Sequence, residues 1–181
     1  MSALICGSLA FDTITNFPGR FAQQILPDQV HILNVSFLVP TLRREFGGCA
    51  GNIAYTLHAL GGSPVVMAAL GSDGGDYLAR LGGWGVDTSL VRREEAMYTA
   101  QAIIITDTDN NQITAFHPGA MQNAHLIDMP ARQDLRIAII APDGRDAMIE
   151  HAAQLAAAGI PVVFDPGQGL PMFDGSDLRR F

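Results

Sequence analysis

The amino-acid sequence predicts an α/β fold in which helices cover both faces of a mostly parallel sheet and a small β lid lies beside it. The main observation is that short apolar runs alternate with segments of helical periodicity along the 181 residues. A second is that the stretch of about 13–46 has scattered prolines and little helical signal. Such alternation is typical of a parallel sheet that binds ligands at the carboxyl ends of its strands.

The first half of the chain predicts two strands and two helices of the main layers. The run ALICGSLAFD at 3–12 predicts a buried first strand, followed by a turn that places Asp12 near a strand end. Apolar residues at helical spacing predict a helix over 52–60, which a pair of glycines ends. The run PVVMAAL at 64–70 predicts the next strand, and GGDYLARLGGWG at 74–85 predicts the second helix.

The lid is predicted from two segments, about 13–46 and 99–117. The first segment contains short β-prone pieces such as HILNVSFLV at 31–39. In the second, TAQAIIIT at 99–106 and QITAFHPG at 112–119 predict a hairpin, because the turn-forming residues DTDNN join them. We expect these strands to lie outside the main layers.

The last third of the chain predicts a βαβ unit. The runs LRIAIIAP at 135–142 and IPVVFDPG at 160–167 predict two buried strands. A helix is expected between them, with Asp143 as its N-cap. Ser176 or Asp177 is expected to cap one more helix near the end of the sequence.

The composition excludes several classes of protein. The 18 acidic and 11 basic residues give a net charge of -7 without a long run of like charge, so no nucleic-acid or membrane partner is expected. All 11 basic residues are arginines, which excludes the lysine of a P-loop. Neither the two cysteines nor the five histidines have disulfide-framework or metal-ligand spacing, so we expect a cytoplasmic location and no metal site. The expected partner is a small molecule.

A glycine cluster in REFGGCAGNIAYTLHALGG at 44–62 is the most specific motif, with Gly47, Gly48 and Gly51 directly before Asn52. A dinucleotide fingerprint needs GxGxxG after a buried strand, and a nucleophile elbow needs GxSxG, so neither is present. The spacing of the glycines and the asparagine resembles the N-terminal signature of the PfkB carbohydrate kinase family, within the ribokinase-like superfamily. The segments GSLAFD, LGSDGGDYLARLGGWGVDTSLV and VVFDPG also resemble that family, so the likeness covers nearly the whole chain.

The resemblance implies an ATP-dependent kinase, with Mg²⁺ and ATP, that phosphorylates a hydroxymethyl group of a sugar or nucleoside. By resemblance, Asp12 binds substrate hydroxyls and Asn52 is a second polar contact. At Gly47 and Gly48 the backbone would touch the substrate ring, because a Cβ there would occupy ligand space. Taken alone, Asp12 would be a turn residue and Asn52 a helix cap.

The long first lid segment favours a substrate of nucleoside size, and adenosine-like nucleosides are preferred to ribose or fructose. Phe17, Phe37 and Phe116 are candidates to cover the substrate from the lid, with packing inside the lid as the alternative. The lid is also the candidate surface for a homodimer.

The family's second signature has no counterpart after Asp165. It carries the catalytic aspartate and an anion hole, and the resemblance implies that both lie beyond Phe181. We therefore expect 1–181 to be the N-terminal portion of a ribokinase-like domain, with the C-terminal part missing and no phosphoryl transfer by itself. The alternative is a non-catalytic α/β domain that binds a small ligand, if the protein ends at Phe181.

Overall fold

The computed structural model describes residues 2–179 and 181. In this part of the chain the strands β1 to β9 are Ser2–Cys6, Ala10–Asn16, Leu42–Gly47, Ser63–Gly71, Asp87–Glu94, Ala100–Thr106, Gln112–His117, Leu135–Ile140 and Val162–Phe164. The α-helices α1 to α4 are Cys49–Ala59, Gly75–Gly83, Arg145–Ala157 and Gly175–Leu178. Short 3-10 helices span Phe21–Gln23, Pro27–Ile32, Gly119–Leu126 and Gly167–Met172.

The main sheet contains five strands in the order β5-β4-β1-β8-β9, and each neighbouring pair is parallel. The strand β4 is buried along its whole length after Ser63. Its near-continuous apolar sequence is typical of a central parallel strand, because helices cover both of its faces.

Alternate strand residues pack into two separate cores. Leu4 and Met67 point to the face that α3 and Gly119–Leu126 cover. Ile5 and Val66 point to the opposite face, which α1 and α2 cover. Side chains alternate across a strand, so each strand contributes to both cores. The predicted α/β class with helices on both faces is confirmed.

A second sheet of four strands has the order β3-β2-β6-β7. Strands β2 and β6 pair in parallel, whereas β3 pairs with β2 and β7 pairs with β6 in antiparallel register. This mixed sheet is the lid, and the predicted hairpin forms its β6 and β7. Among the described residues, no helix has the length and apolar character that crossing a membrane requires.

The beginning of the lid differs from its prediction. Asp12 does not lie in the turn after the first strand, because it is the third residue of β2, a lid strand that begins at Ala10. The segment 31–39 forms no strand, because its backbone joins neither sheet and side chains such as Leu38 face solvent.

The helix caps differ in part from their predictions. The helix α1 begins at Cys49, so Asn52 lies within its first turns. The Asp143 side chain makes no capping bond to α3, because its carboxylate oxygen accepts from the adjacent Gly144 N–H at 2.8 Å. The N-cap of α4 is Asp174, whose carboxylate accepts from the first-turn amides. Of the two residues predicted to cap this helix, Asp177 takes part in the capping box, because its carboxylate accepts from Asp174 N–H at 3.3 Å.

Candidate functional site

A cavity of about 1110 Å³ lies between the lid sheet and the carboxyl ends of β1, β8 and β9. Its lid side is formed by alternate residues of three strands, which are Ala10, Asp12, Ala102, Ile104, Gln112, Thr114 and Phe116. Its opposite side includes Ser8, Gly48, Cys49, Pro142, Asp143, Gly144, Arg145, Asp146, Asp165, Gly167, Gln168 and Gly169. Because side chains alternate along a strand, one face of the lid sheet covers the cavity.

The carboxyl group of Asp12 lies on this inner face of the lid and packs directly against Gly47 of the neighbouring strand β3. A Cβ at Gly47 would overlap the Asp12 carboxylate oxygens. Partial burial raises the pKa of the Asp12 carboxyl above its ordinary value. The glycine therefore makes room for the carboxylate, which faces a large cavity.

Gly48 has a different structural reason to be glycine. Its φ is 87°, a left-handed conformation that side chains disfavour. A Cβ at this position would lie 2.5 Å from the Ser8 carbonyl oxygen and 2.7 Å from the Ala10 nitrogen. The expectation that this Cβ would fill ligand space is wrong, because the space belongs to the backbone that links β1 to β2.

The N-terminus of α1 is held at the cavity by Ser8. The Ser8 hydroxyl accepts a hydrogen bond from Cys49 N–H at 3.1 Å, and the Ser8 carbonyl accepts from Ala50 N–H at 2.9 Å. These bonds satisfy helix amides that have no partner inside the helix. Ser8 was not among the residues predicted from the sequence, although its position after β1 is a signal for it.

Asn52 is not brought to the cavity with the other predicted residues. It is exposed on α1, and its carbonyl oxygen accepts from the Thr56 hydroxyl at 2.9 Å. It borders a small separate groove on the outer side of α1. Its predicted contact with substrate stays a prediction.

The lid phenylalanines separate into two groups. The rings of Phe17 and Phe37 each pack against other aromatic rings of the lid, with Phe21 at 5.0 Å from Phe37. Neither Phe17 nor Phe37 lines the cavity. The alternative prediction, that these rings pack inside the lid, therefore applies to both. Phe116 does line the cavity and is 53% exposed, as a residue available to a ligand would be.

Asp143, which was predicted as a helix N-cap, lines the cavity instead. Its side chain is buried, and burial raises the pKa of its carboxyl to about 7. Asp165 lines the same cavity directly after β9. Both residues follow parallel strands, which is the sequence signal that identifies them.

Acidic side chains outnumber basic ones in the described lining of the cavity. Four aspartates line it, which are Asp12, Asp143, Asp146 and Asp165. Of the described lining residues Arg145 alone is basic, and its guanidinium donates to Asp177 at 2.7 Å and to the Met172 carbonyl at 3.0 Å. The Arg145 guanidinium also lies 3.8 Å from the Asp146 carboxylate, so its positive charge is shared between Asp146 and Asp177.

The surroundings of Cys49 do not favour nucleophilic chemistry. Burial raises the pKa of the Cys49 thiol, which opposes formation of a nucleophilic thiolate. Within residues 2–179 and 181, no group of three or more His, Cys, Asp or Glu side chains is arranged to hold a metal ion. The described residues do not fit a magnesium site by themselves.

Comparisons with known proteins agree with this architecture. The model of the pfkB family carbohydrate kinases matches residues 19–172. Among curated proteins, the nucleoside kinase of Methanocaldococcus jannaschii is 32% identical over 142 residues, which is 77% of this chain and 46% of that protein.

Two solved structures align over almost the whole chain. The Burkholderia thailandensis nucleoside kinase in complex with inosine has a TM-score of 0.83 and 54% identity, over 98% of this chain and 56% of that one. The structure of the Methanocaldococcus jannaschii nucleoside kinase, an archaeal member of the ribokinase family, has a TM-score of 0.84 and 29% identity, over 99% of this chain and 56% of that one. The chain thus spans about half the length of these relatives. With a ribokinase-like fold and a family match across most of its residues, the chain belongs to the pfkB family of carbohydrate kinases.

Proposed function

We propose that this chain forms the nucleoside-binding part of an ATP-dependent kinase that phosphorylates a hydroxymethyl group of a nucleoside. The observation that carries the proposal is the Asp12 carboxylate, held against Gly47 on the inner face of the lid above a large cavity. A carboxylate oxygen accepts hydrogen bonds from hydroxyl groups, which a ribose ring supplies.

The size and charge of the cavity support a nucleoside in particular. A volume of about 1110 Å³ accommodates a base as well as a sugar, whereas ribose or fructose alone would fill little of it. The surplus of aspartates favours an uncharged ligand with hydroxyl groups over an anionic one. The inosine complex of the Burkholderia thailandensis kinase supports a purine nucleoside as substrate.

The residues described here act by positioning. The Asp12 carboxylate would fix the sugar ring, while the apolar lid residues Ala102 and Ile104 would keep water from it. Orientation of the attacking hydroxyl is a large part of catalysis in phosphoryl transfer. ATP would supply the phosphoryl group, and we assign no catalytic base among the described residues.

Titration calorimetry of the chain with inosine, adenosine and ribose tests the proposal. We expect both nucleosides to bind more tightly than ribose, and Asp12→Ala to weaken nucleoside binding about tenfold or more, because ligand hydroxyls lose a charged acceptor. Asp76→Ala is the control, since Asp76 is exposed on α2 away from the cavity. Equal binding by the Asp12 variant and the wild type would remove this carboxylate from the site.

A further inference from the structure

Asp73 connects the main layers to two strands of the lid. It lies between β4 and α2, so its backbone belongs to the main layers. Its Oδ1 accepts a hydrogen bond at 2.8 Å from the N–H of Thr99, the residue before the lid strand β6. Its Oδ2 accepts at 2.6 Å from the guanidinium of Arg44, which lies in the lid strand β3. One carboxylate of the main layers therefore holds two lid strands.

The Thr99 contact is part of a buried junction between β4 and the beginning of β6. Thr99 is completely buried, and its hydroxyl accepts from Gly71 N–H at 3.0 Å. One residue further on, Ser72 N–H donates to the Met97 carbonyl at 2.9 Å. Together with the Asp73 bond, these contacts fix the segment that leads into β6 on the end of β4.

The Arg44 contact lies on the other side of the strand that carries Asp12. The lid order β3-β2-β6-β7 places β2 between the two strands that Asp73 holds. The Arg44 guanidinium also lies 3.6 Å from the centre of the Phe11 ring, and Phe11 is the neighbour of Asp12 in β2. The position of Asp12 relative to the main layers therefore depends on both contacts of Asp73.

Asp73 is not itself a candidate to bind the ligand. Neither Asp73 nor Arg44 nor Thr99 belongs to the described lining of the cavity. The Asp73 side chain is 20% exposed, and each of its oxygens has a partner within the protein. An effect of this carboxylate on nucleoside binding therefore has to pass through the lid.

We propose that Asp73 is a positioning residue of the nucleoside site, which sets the distance of the Asp12 carboxylate from the floor of the cavity by holding β3 and β6. The inference rests on the proposed function. A hydrogen bond tolerates only a narrow range of distance and angle, so a small tilt of the lid would weaken the bonds between Asp12 and the substrate hydroxyls.

Graded variants of Asp73 test this role. Asp73→Asn keeps an oxygen for Thr99 N–H and removes the charge that holds Arg44, whereas Asp73→Ala removes both contacts. Inosine affinity is measured by titration calorimetry, well below the melting temperature of each variant. We expect the affinity to fall about fivefold in Asp73→Asn and about tenfold or more in Asp73→Ala.

Two arginine variants on the same strand give a matched pair. Arg44→Gln should weaken inosine binding about as much as Asp73→Asn does, because both remove the same ion pair. Arg43→Gln is the control, since Arg43 is exposed and lies 3.7 Å from the exposed carboxylate of Glu45. Its inosine affinity should stay within about twofold of the wild type.

A cycle with Asp12 distinguishes positioning from a purely structural role. In the Asp12→Ala background, Asp73→Ala should change inosine affinity by less than about twofold, because the carboxylate that it positions is absent. A variant that only destabilises the fold would melt at a lower temperature and bind inosine like the wild type when folded. Asp73→Asn takes the place of Asp73→Ala in this cycle if the alanine variant does not fold.

The outcomes separate this inference from the proposed function. If inosine binds the wild type and the folded Asp73 variants equally well, the inference is wrong and the carboxylate serves only the fold. If Asp73→Ala weakens binding by the same factor with and without Asp12, the inference is also wrong, because Asp73 then does not act through Asp12. If the wild type binds neither inosine nor adenosine, the proposed function fails and this inference fails with it.

Discussion

The hydroxyl of Tyr77 donates a buried hydrogen bond of 2.6 Å to the main-chain carbonyl oxygen of Gly47. The Tyr77 ring, on α2, packs edge-on against Phe46 with 5.0 Å between ring centroids. Gly47 in turn lies against the Asp12 carboxylate. The helix α2 therefore supports Gly47 through the Tyr77 hydrogen bond. Gly47 is the residue against which the Asp12 carboxylate packs, and we propose that this carboxylate binds the substrate.

Replacing Tyr77 by phenylalanine should destabilise the protein by about 1 to 3 kcal/mol, because the buried Gly47 carbonyl loses its hydroxyl donor. Urea denaturation of the wild type and the variant measures the difference. Tyr98→Phe is the matched control, since Tyr98 is 64% exposed. An equal loss of unfolding free energy in both variants would show that the Tyr77 hydrogen bond does not stabilise the fold.

Gly47→Ala should weaken nucleoside binding at least about tenfold, because its Cβ displaces the Asp12 carboxyl group. Gly82→Ala is the control, because a Cβ on this residue of α2 meets no atom within 4 Å. The control should bind normally and be slightly more stable, since alanine favours a helix. Nucleoside titration calorimetry checks both variants, and unchanged affinity in Gly47→Ala would contradict the packing described.

Gly48→Ala should destabilise the protein more than Gly61→Ala does. Both glycines have a positive φ, 87° and 81°, so both variants bear the strain of a left-handed alanine. A Cβ at Gly48 also meets the backbone of Ser8 and Ala10, whereas at Gly61 it meets nothing within 4 Å. The difference in unfolding free energy between the variants therefore measures the overlap. Equal losses would mean that the backbone moves aside at little cost.

Asp143→Asn should become progressively more stable than the wild type as the pH rises from 4 to 7. Burial raises the pKa of this carboxyl from an ordinary value near 3.8 to about 7, so the folded state favours the protonated form. That contribution to stability is complete below pH 3.8 and is lost as the pH rises through 7. The gap between variant and wild type should grow by about 1.4 kcal/mol per pH unit in this interval.

Urea denaturation at four pH values measures this gap. Burial lowers the pKa of His151 to about 4, which reduces stability as the pH falls from 6.5. His151 is present in both proteins, so its contribution cancels in the difference. Asp146→Asn is the control, because this side chain is exposed on α3. A gap that is independent of pH would contradict a protonated Asp143 in the folded chain.

Local sequence patterns were sufficient to predict the main strands and helices. The apolar runs at 64–70 and 135–142 and the helical spacing after the glycine cluster predicted the strands β4 and β8 and the helix α1 to within a few residues. Apolar residues recur about every 3.6 positions in a helix with one buried face, and they form short continuous runs in a strand with two buried faces. Each pattern can be recognised within the segment itself. The DTDNN turn predicted the β6-β7 hairpin for the same local reason.

The sequence by itself determined the α/β class, the lid hairpin and the motif that marks the family, and it singled out Asp12 and the two glycines. The tertiary structure decided what surrounds each of these residues: Gly47 makes room for a carboxylate, Gly48 makes room for the backbone, and Asn52 is exposed on α1 outside the cavity lining. It also brought Asp143 to the floor of the same cavity. The physical reason is that Asp12 and Asp143, which lie far apart in the sequence, reach one cavity only through the strand order and sheet twist, which no local pattern encodes.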